Sequence, residues 1–157
     1  MTKESAFLNA INKLYETSRL LNEYESIPRK YGTDDELFMV EAHIINLIGD
    51  KKVINITDIA KQMNRTKSSA SQNITRLIKK GLVKKEKSIH SSREVSIMLT
   101  SKGEKVFQFH KNLDDREYNS YLSKLENYDA KDFENIDHFL AIVNENIINL
   151  LDSTHSN

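Results

Sequence analysis

The chain has 157 residues, 38% of them hydrophobic and 29% charged, with one Pro, four Gly and no Cys. That length supports one domain, or one domain with added helices, around a sizeable core. The scarcity of Pro and Gly favours helix, and the lack of Cys excludes disulfides, thiolate metal sites and thiol redox chemistry.

Net charge is zero, but it is unevenly spread. Residues 61–93 hold ten Lys or Arg against the single acid Glu86, so a +9 block is balanced by −9 elsewhere. A block of one sign suits a polyanion partner. The N-terminal MTKESAFLNAINKLYE has no apolar leader core, and no apolar run approaches the ~20 residues of a membrane helix. A cytoplasmic protein without a membrane partner is expected.

In chain order, Phe7, Ile11, Leu14 and Leu21 predict an amphipathic helix over about 4–26, stopped by Pro28 and Gly32. A second helix is expected from about Asp35 to Ile48, ending at Gly49. VINI (53–56) reads as a small strand leading to a short third helix, with Asn55 and Asp58 in a capping arrangement. Thr66 caps a fourth helix that Gly81 ends. LVKKEKSI and EVSIMLT, separated by HSSR, read as a β-hairpin with an exposed tip. A long helix follows from Ser101. After NYDAKD, Asp129 caps a last helix to about Leu151, in which Phe133, Ile136, Leu140, Val143, Ile147 and Leu150 form a stripe. That stripe needs a partner, and with the first helix it suggests a dimer interface.

On a helical wheel at ~100° per residue, Ala70, Ile74, Leu77 and Ile78 share one sector of the fourth helix. Ser68, Gln72, Thr75, Arg76 and Lys79 lie opposite, flanked by Arg65 and Ser69, and no acid occurs between Asp58 and Glu86. Gln and Arg can read adenine and guanine edges bidentately. Lys79, Lys80 and the helix start at Thr66 suit phosphates. With the preceding short helix this makes a helix-turn-helix facing the DNA major groove.

The order NITDIAKQMNRTKSSASQNITRLIKKGLVKKEKS…REVSIMLTSKGEKV resembles the MarR family of winged helix-turn-helix regulators, through TxxIA, KKGLV and LTxKG, most strongly over residues 40–106. The resemblance implies a mainly α fold with a small β-hairpin wing: a winged DNA-binding region at 34–100, and N- and C-terminal dimerisation helices at 1–33 and 101–157. It implies a homodimer on a pseudo-palindromic operator in double-stranded DNA, acting as a repressor and released or tightened by a small effector. The implied DNA-contacting residues are Arg65, Thr66, Lys67, Ser68, Ser69, Ser71, Gln72, Thr75, Arg76, Lys79, His90, Ser92 and Arg93. The family's Asp-Arg-Arg wing tip is here Ser91, Ser92 and Arg93, so binding is expected to lean on the recognition helix.

Zinc-sensing repressors of the family place Glu and His ligands between the two regions, and Glu25, His43 and His110 match by count, with Asp114 where those proteins have a further His. Such a set suits Zn²⁺. A hydrogen-bonded pair, His43–Glu41 or His43–His110, is the competing expectation. Without a metal, the same crevice would take a phenolic or lipophilic effector beside Tyr15, Tyr24, Tyr31, Phe38 and Phe107. A winged-helix module binding protein instead of DNA is the alternative from another class. No glycine-rich phosphate loop or Gly-x-Ser-x-Gly elbow suggests an enzyme.

Overall fold

The computed structural model describes residues 1–87 and 95–155, with Lys87 and His155 described in their backbone alone. They fall into two compact units, Met1–Asp114 and Asp115–Asn157.

The first unit begins with α1 (Lys3–Glu25), whose N-cap Thr2 accepts the Ser5 N–H. Strands β1 (Arg29–Lys30) and β2 (Glu36–Leu37) pair antiparallel, Arg29 opposite Leu37. This small hairpin displaces the expected start of the second helix, so α2 runs Met39–Lys51. The helix also continues through Gly49, where a Cβ would stand 2.5 Å from the Phe107 ring. Gly49 is a packing glycine, and Lys52, at φ 65, ends the helix instead.

Next come α3 (Ile56–Gln62) and α4 (Lys67–Lys79), capped by Asn55 and Thr66 as their sequences predict. The turn between them places Asn64 at φ 48 and closes with Arg65 N–H on the Ala60 carbonyl at 2.8 Å. Gly81 follows α4 at φ 70. Strands β3 (Val83–Lys87) and β4 (Val95–Leu99) form the wing, Val83 opposite Leu99. The expected VINI strand is reduced to one bridge, Ile54 to Ile97.

Helix α5 (Ser101–Lys124) starts in this unit. Thr100 caps it, accepting the Gly103 N–H while its hydroxyl donates to the Gly81 carbonyl at 2.7 Å. The core joins Ile44, Ile45 and Ile48 of α2, Ile59 of α3, Ile74 and Leu77 of α4, Leu82, Ile97, and Val106 and Phe107 of α5.

In the second unit the end of α5 leads to α6 (Ala130–His155). Asp129 and Asp132 each accept the other's backbone N–H at 3.0 Å, a reciprocal capping box. The Tyr128 and Phe133 rings, 6.0 Å apart, staple the turn. None of the described α6 side chains is buried, and Phe133, Ile136, Ile147 and Leu150 are exposed. Among the described residues no helix is long and apolar enough to cross a membrane.

Candidate nucleic-acid interface

Helix α4 divides as its sequence predicts. Ala70, Ile74 and Leu77 are buried and Ile78 half-buried, whereas Ser68, Gln72, Thr75, Arg76 and Lys79 are exposed, as are Arg65, Thr66 and Lys67 at its start. Ser69 and Ser71 are half-buried. Their roles are partly local: the Ser69 N–H caps on Thr66, and the Ser71 carbonyl accepts the Thr75 hydroxyl at 2.9 Å. The Gln72 amide is the long hydrogen-bonding side chain at the centre of the outer face, with cations at either end. Such a face can present donors and acceptors to base edges.

Arg76 and Lys80 are engaged differently. Arg76 is half exposed, yet its Nε donates to Glu41 Oε1 at 3.3 Å and its Nη2 to Asn73 Oδ1. Lys80 Nζ donates to Glu41 Oε2 at 2.9 Å and to the Glu36 carbonyl at 2.8 Å. Lys80 is therefore turned to the α2 side, away from the phosphate role expected for it, whereas Lys79 stays exposed. Glu41 is fully buried. Its Oε2 also accepts the Phe38 N–H at 3.1 Å, closing the first turn of α2. Sequence reasoning gave Glu41 no part in this interface. Its signal is phase: positions 41, 44, 45 and 48 form one core-facing stripe, and an acid on such a stripe must be paired.

The histidine cluster lies on α2 and α5. His110 is 1% exposed. Its ring stacks on Tyr31 at 5.1 Å and meets the edge of His43 at 5.6 Å. His110 Nδ1 lies 2.9 Å from Asp114 Oδ2 and 2.8 Å from the Asn46 amide. His110 Nε2 and Asn46 Oδ1 are buried without a partner among the described residues. The expected pair His43–Glu41 is not formed, because Glu41 faces α4 and His43 the other side of α2.

Taken over the whole residue, His43 is exposed, but its ring edge is desolvated against His110. That burial, then the His110 charge, lowers its pKa below the usual imidazole value, against the opposing pull of Asp114 and Glu25. Glu25 is exposed at the end of α1. Among the described residues no three His, Asp or Glu side chains form a ready-made metal cluster. Of the proposed effector-lining aromatics, Tyr31 and Phe107 are core, Tyr15 and Phe38 are exposed, and Tyr24 lies under the Arg29 guanidinium at 3.6 Å. Wing-tip residues His90, Ser92 and Arg93, with Ser91, lie outside the described residues.

Comparison with known proteins matches residues 37–95 to the model of the MarR family. The HTH-type transcriptional regulator YhjH of Bacillus subtilis is 30% identical over 109 residues, covering 69% of this chain and 62% of YhjH. The regulator PchR of the same species is 28% identical, and the chain spans 60% of it. Less than two thirds of either relative's length is therefore spanned. Transcriptional regulator AdcR of Streptococcus pyogenes is 25% identical over 126 residues, 80% of this chain and 85% of AdcR. The solved structure of Lactococcus lactis ZitR in complex with DNA is 20% identical, with a TM-score of 0.70 over 89% of this chain and 97% of that one. ZitR has also been described as a zinc-responsive MarR family member. The structural likeness is one of fold, and the relatives are regulators, not enzymes.

Proposed function

We propose that the chain, which matches the MarR family over residues 37–95 and is 30% identical to the regulator YhjH, is a MarR-type DNA-binding transcriptional repressor, acting as a homodimer on a pseudo-palindromic operator. The observation that carries this is the outer face of α4: Ser68, Gln72, Thr75 and Lys79 stand exposed, without an acid, over a buried underside. Gln72 and its neighbours read bases while Arg65, Lys67 and Lys79 hold phosphates. In this reading residues 34–100 contact DNA, and residues 1–33 with 101–157 serve dimerisation.

Gln72→Ala is expected to weaken binding to a duplex selected by the wild type from a random-sequence pool by about 1–3 kcal/mol, and to relax preference at one position. Lys79→Ala should weaken selected and random duplexes alike and flatten the salt dependence. Fluorescence anisotropy over a salt series checks both. Equal wild-type affinity for selected and random duplexes overturns the reading.

A second reading, that zinc is the effector, is favoured by the orphaned His110 Nε2. The donor types fit zinc: His43, His110 Nε2 and Glu25 could hold it, while Asp114, bonded to Nδ1, orients the His110 ring. Bound there, zinc would supply a charge that ties the end of α1 to α2 and α5. Binding would have to draw in the exposed Glu25 and His43. Purified protein is expected to bind one zinc per chain, lost in His110→Ala, with DNA affinity changing only in the wild type. No stoichiometric metal by elemental analysis ends this reading.

A further inference from the structure

We propose that Glu41 is a positioning residue for DNA recognition, its buried carboxylate fixing how α4 lies against the domain, and that Arg76 acts through Glu41 and not on DNA. This rests on the DNA-reading function proposed above. Both Glu41 oxygens are used, Oε1 by Arg76 and Oε2 by Lys80 and the Phe38 N–H. The clasp extends along the inner edge of α4, where Arg76 holds Asn73, and Asn73 Nδ2 donates to the Ser69 carbonyl at 3.0 Å. At the end of α4, the Lys80 carbonyl accepts Lys102 Nζ at 2.9 Å, and Lys102 pairs with Asp35 at 2.8 Å.

The energetics favour geometry over stability as the role of this cluster. A buried carboxylate is strongly destabilising when left alone, so α4 is confined to the placements in which Arg76 and Lys80 reach it. Hydrophobic contacts of Ile74 and Leu77 alone would tolerate sliding and rotation of the helix. Base reading does not, because a bidentate contact from Gln72 weakens steeply as its hydrogen bonds lengthen or bend. Glu41 also places a negative charge beneath a helix meant to meet a polyanion. On Coulomb grounds alone its neutralisation would tighten DNA binding. A positioning role has the opposite sign.

The test uses the full chain as wild type, E41Q, R76Q and the double variant. Each is titrated with the duplex that the wild type selects from a random-sequence pool, and with a random duplex of equal length, over a salt series. E41Q is expected to lose about 3- to 30-fold on the selected duplex while keeping its affinity for the random one. R76Q should do the same with an unchanged salt slope, and the double variant should lose no more than the worse single one. Three results overturn the proposal: E41Q binding the selected duplex as tightly as the wild type or tighter; R76Q flattening the salt slope on both duplexes by about one ion; or losses that multiply in the double variant. Should E41Q fail to fold by circular dichroism, R76Q decides, because its loss leaves Glu41 paired with Lys80. A wild type that prefers no duplex overturns the DNA-reading function itself, a result distinct from the variants' failure.

Discussion

At position 103 an added Cβ would stand 2.0 Å from the Leu82 carbonyl oxygen. The first turn of α5 therefore lies directly on the backbone that leaves α4 and enters the wing, and only a hydrogen fits between them. Backbone cannot yield as a side-chain tip can, so Gly103→Ala is expected to cost about 3 kcal/mol or more in urea denaturation. Gly81→Ala makes a useful contrast. Nothing lies within 4 Å of a Cβ there, and its φ of 70° alone sets the penalty, about 1 kcal/mol. Equal costs at the two sites would show that close approach is not what position 103 requires. The same reasoning explains the last residue of LTxKG, whose Thr100 caps α5 and whose Gly103 lets it approach. Sequence marked the motif as a resemblance; the carbonyl that makes the glycine necessary comes from 21 residues earlier in the chain.

At the scale of elements, what was legible in the sequence followed from local chemistry. The caps at Asn55, Thr66 and Asp129 are fixed by side chains three residues from the backbone they serve, and Gly81 takes its left-handed φ because it lacks a Cβ. The two faces of α4 follow from its period. The failures came from contacts beyond that three- or four-residue reach. Residues 36–37 became β2 because they pair with residues 29–30, and α2 passed through Gly49 because the Phe107 ring lies against it. The candidate zinc site shows a further limit. Glu25, His43 and His110 stand on three helices, and a rotation by one residue, ~100°, decides which side chains of α2 face α5. Seen on α2, the stripe 41, 44, 45 and 48 turns Glu41 toward α4 and carries His43 to the other side. The expected Glu41–His43 pair missed this phase, although the spacing was there to be read.

At the scale of the whole molecule, the apolar surface is too large to be left to water. On α1, Phe7, Leu8, Tyr15, Leu20 and Leu21 are 52–60% exposed, and on α6, Ile136, Ile147, Ile148 and Leu150 are 42–66% exposed. Neither helix has a buried residue among those described. Helices with so little of their apolar stripes buried have little beyond propensity to hold them, so the proposed second copy is part of what stabilises these helices. Such a dimer makes stability depend on concentration, and its melting temperature should rise with protein concentration. Ile147→Glu, which places a charge in the α6 stripe, is expected to shift the protein to monomer in sedimentation velocity. It should also weaken binding to the selected duplex far more than to a half-site, because paired reading heads must match sites about 34 Å apart. The outer face of α4 is untouched by this change, so residual half-site binding separates loss of pairing from loss of reading. A monomeric wild type that still binds the full site with undiminished affinity would break the link between assembly and recognition.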